Sequence, residues 1–204
     1  MTQEIQLPEF YQYKNEDGWK VDSGFETIQD FNLSWILRCA DDKYKRVNLQ
    51  LHKYAKRIVF LLIHGINKDG NEYILNKVMR DEFKVTKVRI KRQFHRIDLV
   101  AEINTEEDSI TEKYVLSIEN KWYQPIKEGQ LEGYKKVLEE EIDCRENKII
   151  NLCIFCDEKD ENQKQRCRDN QYKFLTIGDI HIIAKMEEEG KTGNALFDEY
   201  WFNF

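Results

Sequence analysis

Residues 96–121, RIDLVAEINTEEDSITEKYVLSIENK, hold two apolar runs separated by a polar stretch, with Asp98 near the start of the first and Glu119 and Lys121 closing the second. Side chains alternate between the two faces of a strand, so Glu119 and Lys121 point one way and Asn120 the other. Pairing of 96–103 with 113–121 through the loop NTEEDSITE brings Asp98 and Glu119 to roughly 5 Å across the ladder. Two carboxylates that close repel each other unless they share a cation.

A hard cation such as Mg²⁺ takes oxygen ligands, keeps several waters, and is commonly held by one or two carboxylates plus the phosphate oxygens of a substrate. Asp98 and Glu119 offer that set. Lys121 is placed to orient an attacking hydroxide or to neutralise charge developing on a phosphoryl group. The reaction such residues serve is phosphodiester hydrolysis.

The acid-x-lysine tripeptide is weak by itself, because in a chain that is 34% charged it also begins at Asp41, Glu82, Glu146, Asp157 and Glu189. Glu119 differs in context: it closes an apolar strand that follows an acid-bearing strand and precedes an amphipathic helix. That helix, IKEGQLEGYKKVLEEEI at 126–142, spaces Ile126, Leu131, Tyr134, Val137, Leu138 and Ile142 mostly three and four apart. Gln130 and Tyr134 lie one turn apart on one face, so both can reach the carboxylates. A sheet edge with solvated charges and a core tyrosine would show the same spacings, so residue pattern alone leaves both readings open.

Taken together, these residues resemble the PD-(D/E)XK nuclease superfamily over about residues 70–158. The resemblance implies an α/β, restriction-endonuclease-like αβββαβ core: a mixed central sheet flanked by helices, here with extra N-terminal and C-terminal helices. It also implies a metal-dependent nuclease acting on DNA, using Mg²⁺ with Mn²⁺ able to substitute, in restriction, repair or defence against foreign DNA. Asp98 matches the family's acid on the second core strand, Glu119 and Lys121 its E-x-K on the third, and Gln130 and Tyr134 the Q-x-x-x-Y of its exonuclease-like members. IENK followed by QLEGY is similar to uncharacterised bacterial members. Ile97 stands where the family name has proline.

The family also carries an acid on the helix before the sheet. Glu72 and Glu82, in EYILNKVMRDEF, are the candidates. Glu72 is the preferred metal residue because it opens that helix after the turn signal NKDG, although a glutamate there also gains from the helix N-terminus.

With 204 residues, 41% of them apolar, the chain has material for one domain with a proper core. Its expected parts are a helical N-terminal elaboration (1–66), the core (70–158) and a C-terminal addition (170–204). Helices are expected in FETIQDFNLSWILRCA, VNLQLHKYAKRIVFLLIHGI and EYILNKVMRDEF. Strands are expected at 85–92, 96–104, 113–121 and 148–156, the last an interior parallel strand after a helical crossover. YKFLTI predicts a further short strand, and GDIHIIAKMEEE and NALFDEYWFNF two further helices. The turn RQFH between the first two strands has no Gly, Asn or Asp.

RIVFLLIHGI is too short to cross a membrane, and MTQEIQLPEF does not read as a signal peptide. Five cysteines suggest no disulfide framework. A cytoplasmic protein is expected. Cys153 and Cys156, three apart on a strand, face opposite sides and so suit a buried structural role better than a zinc site.

A net charge of −6 is awkward for a nucleic-acid enzyme, whose backbone contacts need Lys and Arg. The basic stretch KVTKVRIKRQFHR offsets it locally: Lys87, Arg89 and Lys91 alternate with Val88 and Ile90, and Arg96 follows. These four are the candidate DNA contacts. Binding by the lone chain should be weak and salt-sensitive, which favours a homodimer or a partner protein. A second function stays open, a catalytically inactive relative serving as a nucleic-acid-binding or assembly module. Retention of two acids and a lysine at one place favours the enzyme.

Overall fold

Two turns of left-handed, non-glycine residues fold the middle of the chain into an antiparallel meander. The computed structural model describes residues 25–65, 82–122, 124–156, 161–184 and 189–202. Strand β1 (Phe83–Phe94) turns at His95 (φ 49) and Arg96 (φ 74) into β2 (Ile97–Glu107), which turns at Asp108 (φ 49) and Ser109 (φ 65) into β3 (Ile110–Lys121). Positive φ at both central residues matches the right-handed twist of the flanking strands.

The expected polar loop NTEEDSITE is therefore only two residues long, and most of it pairs as ladder: Asn104 with Lys113, Glu106 with Thr111. Its charged side chains concealed the strand because Thr105, opposite Val85, is the one buried residue in this outer stretch and its neighbours are half-buried or exposed. Likewise RQFH, expected as the turn, is mostly strand: Arg92, Gln93 and Phe94 belong to β1, and the turn is His95–Arg96.

Past β3 the sheet becomes parallel. Helix α3 (Gln130–Glu141) crosses over to β4 (Lys148–Phe155), and α4 (Glu161–Asp169) crosses over to β5 (Lys173–Thr176). The order is β1-β2-β3-β4-β5, antiparallel for the first two pairings and parallel for the last two. The αβββαβ order with a mixed sheet is present as expected. Helix α4 is absent from the sequence reading for a visible reason: ENQKQRCRD buries only Gln163 and Cys167, so it has no apolar stripe to detect.

Helices α1 (Phe25–Cys39) and α2 (Leu49–His64) cover the opposite face, with α5 (Ile177–Ile183) and α6 (Ala195–Phe202) packed beyond α2. Asn48 caps α2 by accepting from Leu51 N at 3.0 Å, and Gly65 ends it at φ 83. Its second half is apolar nearly all round because Ile58, Val59, Leu61 and Leu62 meet neighbours on every side. Each such side chain contributes roughly 1.5–3 kcal/mol on burial. Tyr54 stacks on Phe197 at 5.6 Å, so the aromatic C-terminal residues pack onto the body.

The expected helix EYILNKVMRDEF falls outside the described residues apart from its last two. Glu82 is exposed and non-helical and Phe83 opens β1, so the helix does not extend to them.

Candidate active site

Leu99 pairs with Ile118, and the next residues along, Asp98 and Glu119, meet where β2 begins after the β1–β2 turn. Strand alternation sends Glu119 and Lys121 to the α3 side of the sheet and Asn120 to the α1 side. Lys121 Nζ lies 2.5 Å from Glu119 Oε1. Gln130 Nε2 donates to the same oxygen at 2.6 Å and to the Tyr134 hydroxyl at 2.9 Å. Tyr134 in turn donates to the Arg96 carbonyl at 2.8 Å, tying α3 to the β1–β2 turn. Asp98, Glu119, Lys121, Gln130 and Tyr134 thus converge, with the Arg96 backbone beside them and its side chain exposed.

The other three basic candidates do not join them. Lys87 and Arg89 are exposed along β1, and Lys91 pairs with Glu102 at 3.1 Å and lies over the Phe94 ring. Glu72 lies outside the described residues.

Gln93, Gln29, Asp30 and Arg92 escaped the sequence reading, which placed Asn120 only as facing the other side of the sheet. Gln93, in a left-handed conformation (φ 54), donates to Asp98 Oδ1 at 3.1 Å, while the Asn120 backbone N–H donates to Asp98 Oδ2 at 2.8 Å. On the other face, the buried Asn120 side chain accepts from Gln29 at 3.1 Å and donates to Asp30, both on α1. Asp30 is 2% exposed, and the Arg92 guanidinium, 3.9 Å from the Phe31 ring, partly offsets its charge. One signal was available: QDFNLS interrupts an otherwise apolar helix, and buried polar residues require partners.

Asn120→Ala should leave Gln29 and Asp30 buried without that partner. It is expected to cost about 2–4 kcal/mol of stability in urea denaturation.

The electrostatics are those of crowded carboxylates. Burial, then the Asp98 charge, push Glu119 up to about 8 despite Lys121. Burial raises Asp98 against the opposing Asn120 N–H and Lys121, and burial together with Asp98 raises Asp30 well above the usual carboxylate range. Glu119 Oε2 is buried and receives no donor among the described residues.

No group of three or more His, Cys, Asp and Glu side chains forms a metal cage among the described residues. Two carboxylates with one buried, undonated oxygen still fit Mg²⁺, which keeps waters and uses few protein ligands. Cys153, expected as a buried structural thiol, is buried beside Glu119 in the parallel ladder, and Cys156 donates to the Trp122 carbonyl at 2.7 Å.

No curated protein matches the sequence. A solved structure of MspJI restriction endonuclease in complex with a 27-mer oligonucleotide aligns at TM-score 0.32 and 14% identity, covering 91% of this chain and 38% of that one. The chain therefore spans well under half the length of that enzyme. No helix among the described residues is long and apolar enough to cross a membrane. The family described as the PD-(D/E)XK nuclease superfamily matches residues 35–200, a span that runs from the middle of α1 through every strand to α6. With most of its length matched, the chain belongs to the PD-(D/E)XK nuclease superfamily.

Proposed function

We propose that this nuclease-family chain hydrolyses phosphodiester bonds of DNA with Mg²⁺, or Mn²⁺ in its place. The observation that carries the reading is Glu119: its Oε1 is held by Lys121 and Gln130, while its Oε2 is buried beside Asp98 with no donor among the described residues. Without metal, a proton on Glu119 shared with Asp98 satisfies this crowded carboxylate pair, and a divalent cation would take that proton's place.

Asp98 and Glu119 would hold the ion, with Asp30 in support from α1 and Glu72 a further candidate. When bound, the cation supplies Lewis acidity and a water of lowered pKa. Lys121 orients the attacking oxygen and offsets charge on the phosphoryl group. Gln130 fixes the Glu119 rotamer, and Tyr134 holds Gln130 and the β1–β2 turn in register. The basic residues Lys87, Arg89, Lys91 and Arg96 contact the DNA backbone. With a net charge of −6, the chain needs these local cations, and a homodimer or partner protein would add more. Restriction, repair or defence against foreign DNA is the proposed setting.

The test is a cleavage panel of duplex DNA, single-stranded DNA and RNA with Mg²⁺, Mn²⁺ or EDTA. Absence of cleavage throughout, together with no heat of metal binding in calorimetry, would replace this reading with that of a non-catalytic binding or assembly module.

Gln93 is a positioning residue in this scheme. Gln93→Ala is expected to lower Mg²⁺ affinity or turnover about 10–100-fold, the usual effect of removing a group that orients a metal ligand. Equal metal affinity and turnover in the variant would show that Asp98 needs no help from it.

A further inference from the structure

A cleft of about 450 Å³ lies between the β1–β2 turn and the start of α3, lined by His95, Arg96, Lys127, Gly129, Gln130 and Gly133 among others. Arg96 and Lys127 supply its cations; Glu128 also lines it, Glu132 Oε2 lies 3.9 Å from where a Cβ on Gly129 would sit, and His95 faces Glu141 at 4.0 Å, so attraction for a phosphate comes from those two side chains locally and not from a net positive cleft. Its wall leads into the candidate active site, because Gln130 lines the cleft and also holds Glu119 at 2.6 Å.

The same wall carries two glycines one turn apart. Gly129 has φ 70, a conformation other residues adopt with strain. Gly133 is different: it sits inside a helix, where alanine is favoured, and an added Cβ would meet nothing within 4 Å. Internal packing gives no reason for glycine at 133, whereas a bare backbone facing a cleft lets a ligand come close.

We propose that this cleft carries the sugar–phosphate strand leading to the active site, with Arg96 and Lys127 gripping its phosphates and the bare backbone at Gly129 and Gly133 forming its bed. The proposal rests on the nuclease reading and names the path of the substrate within it. A phosphodiester backbone suits the cleft because its contacts are charge and close approach, with little apolar area required.

The test uses the full chain and labelled single-stranded and duplex DNA, with binding followed by anisotropy across a salt series in Ca²⁺ and cleavage measured in Mg²⁺. Arg96→Asn, which tolerates the left-handed turn position, is combined with Lys127→Ala. The double variant is expected to bind about tenfold or more weakly, and its log–log salt slope should shrink by about 0.7 per lost contact on single strands or about 0.9 on duplex. KM should rise more than kcat falls.

Gly133→Leu separates a binding role from a structural one. It is expected to raise Tm, since leucine is the better helix former, while raising KM. A fall in Tm with unchanged KM would overturn the role of Gly133. Unchanged affinity and slope in the double variant, with wild-type cleavage intact, would overturn the cleft and leave the nuclease reading standing. The expected loss of slope in the double variant, with no cleavage by the wild-type protein, would support the cleft and overturn the nuclease reading.

Discussion

Glu119→Gln is expected to lower DNA cleavage by at least about a thousandfold and to leave Tm unchanged or higher. The amide keeps the shape of the side chain and can still accept from Lys121 and Gln130, which meet the carboxylate at 2.5 and 2.6 Å. What it removes is the ionisable carboxyl that burial, and then repulsion from Asp98, push up to about 8. The metal-free fold, which already holds Glu119 largely protonated near neutral pH, loses little, whereas the cation loses a ligand. Lys121→Ala should lose comparable activity at little cost to the fold, because Glu119, already easily protonated, takes up a proton when its partner leaves. A nuclease assay beside differential scanning fluorimetry measures both quantities. Full cleavage by both variants would refute the assigned site. Loss of activity accompanied by collapse of Tm would mean that these groups serve the fold alone.

Adding Mg²⁺ to the metal-free protein should raise Tm, and should do so more at pH 8 than at pH 6. Glu119 has a folded-state pKa of about 8 against its ordinary 4.5, so the native state keeps a proton that the unfolded chain has released. Stability without metal is therefore fully present below about pH 4.5 and falls as pH rises toward about 8. Burial raises Asp98 in the same direction. A cation needs the ionised carboxylate, so binding releases the proton, and affinity climbs with pH through the same window. At a hundredfold excess over Kd the gain is about 2.7 kcal/mol, or roughly 5–10 °C for a domain of this size. Calorimetry in buffers of different ionisation enthalpy would count the proton released. A Tm gain that shrinks as pH rises would contradict the placement of the cation at Glu119.

Much of the site was readable from the chain because the relevant geometry is local. Glu119 and Lys121 share a face by strand alternation, and Gln130 and Tyr134 share one by helical repeat; the structure adds the contacts of 2.6 and 2.9 Å that join the two pairs through Gln130. The boundaries were less legible. NTEEDSITE looked like a loop because its polar side chains line a solvent-facing stretch of ladder, and RQFH hid a tight turn because His95 and Arg96 adopt left-handed backbone without glycine or asparagine. The basic stripe Lys87, Arg89 and Lys91 was correctly seen to alternate, but alternation does not say what lies over the strand, and Lys91 proved to face Glu102.

Sequence alone determined the order of the five strands and of the helices around them, α4 excepted, and the common face of Glu119 and Lys121, since periodicity and side-chain direction follow from backbone geometry within a few residues. Tertiary structure alone decided which polar residues support that group. Asp30 and Gln29 reach Asn120 from about ninety residues away. Gln93 reaches Asp98 only because a left-handed residue bends the end of β1. A buried polar side chain is stable only beside its partner, and no local pattern in the chain says where a partner so distant in sequence will come to rest.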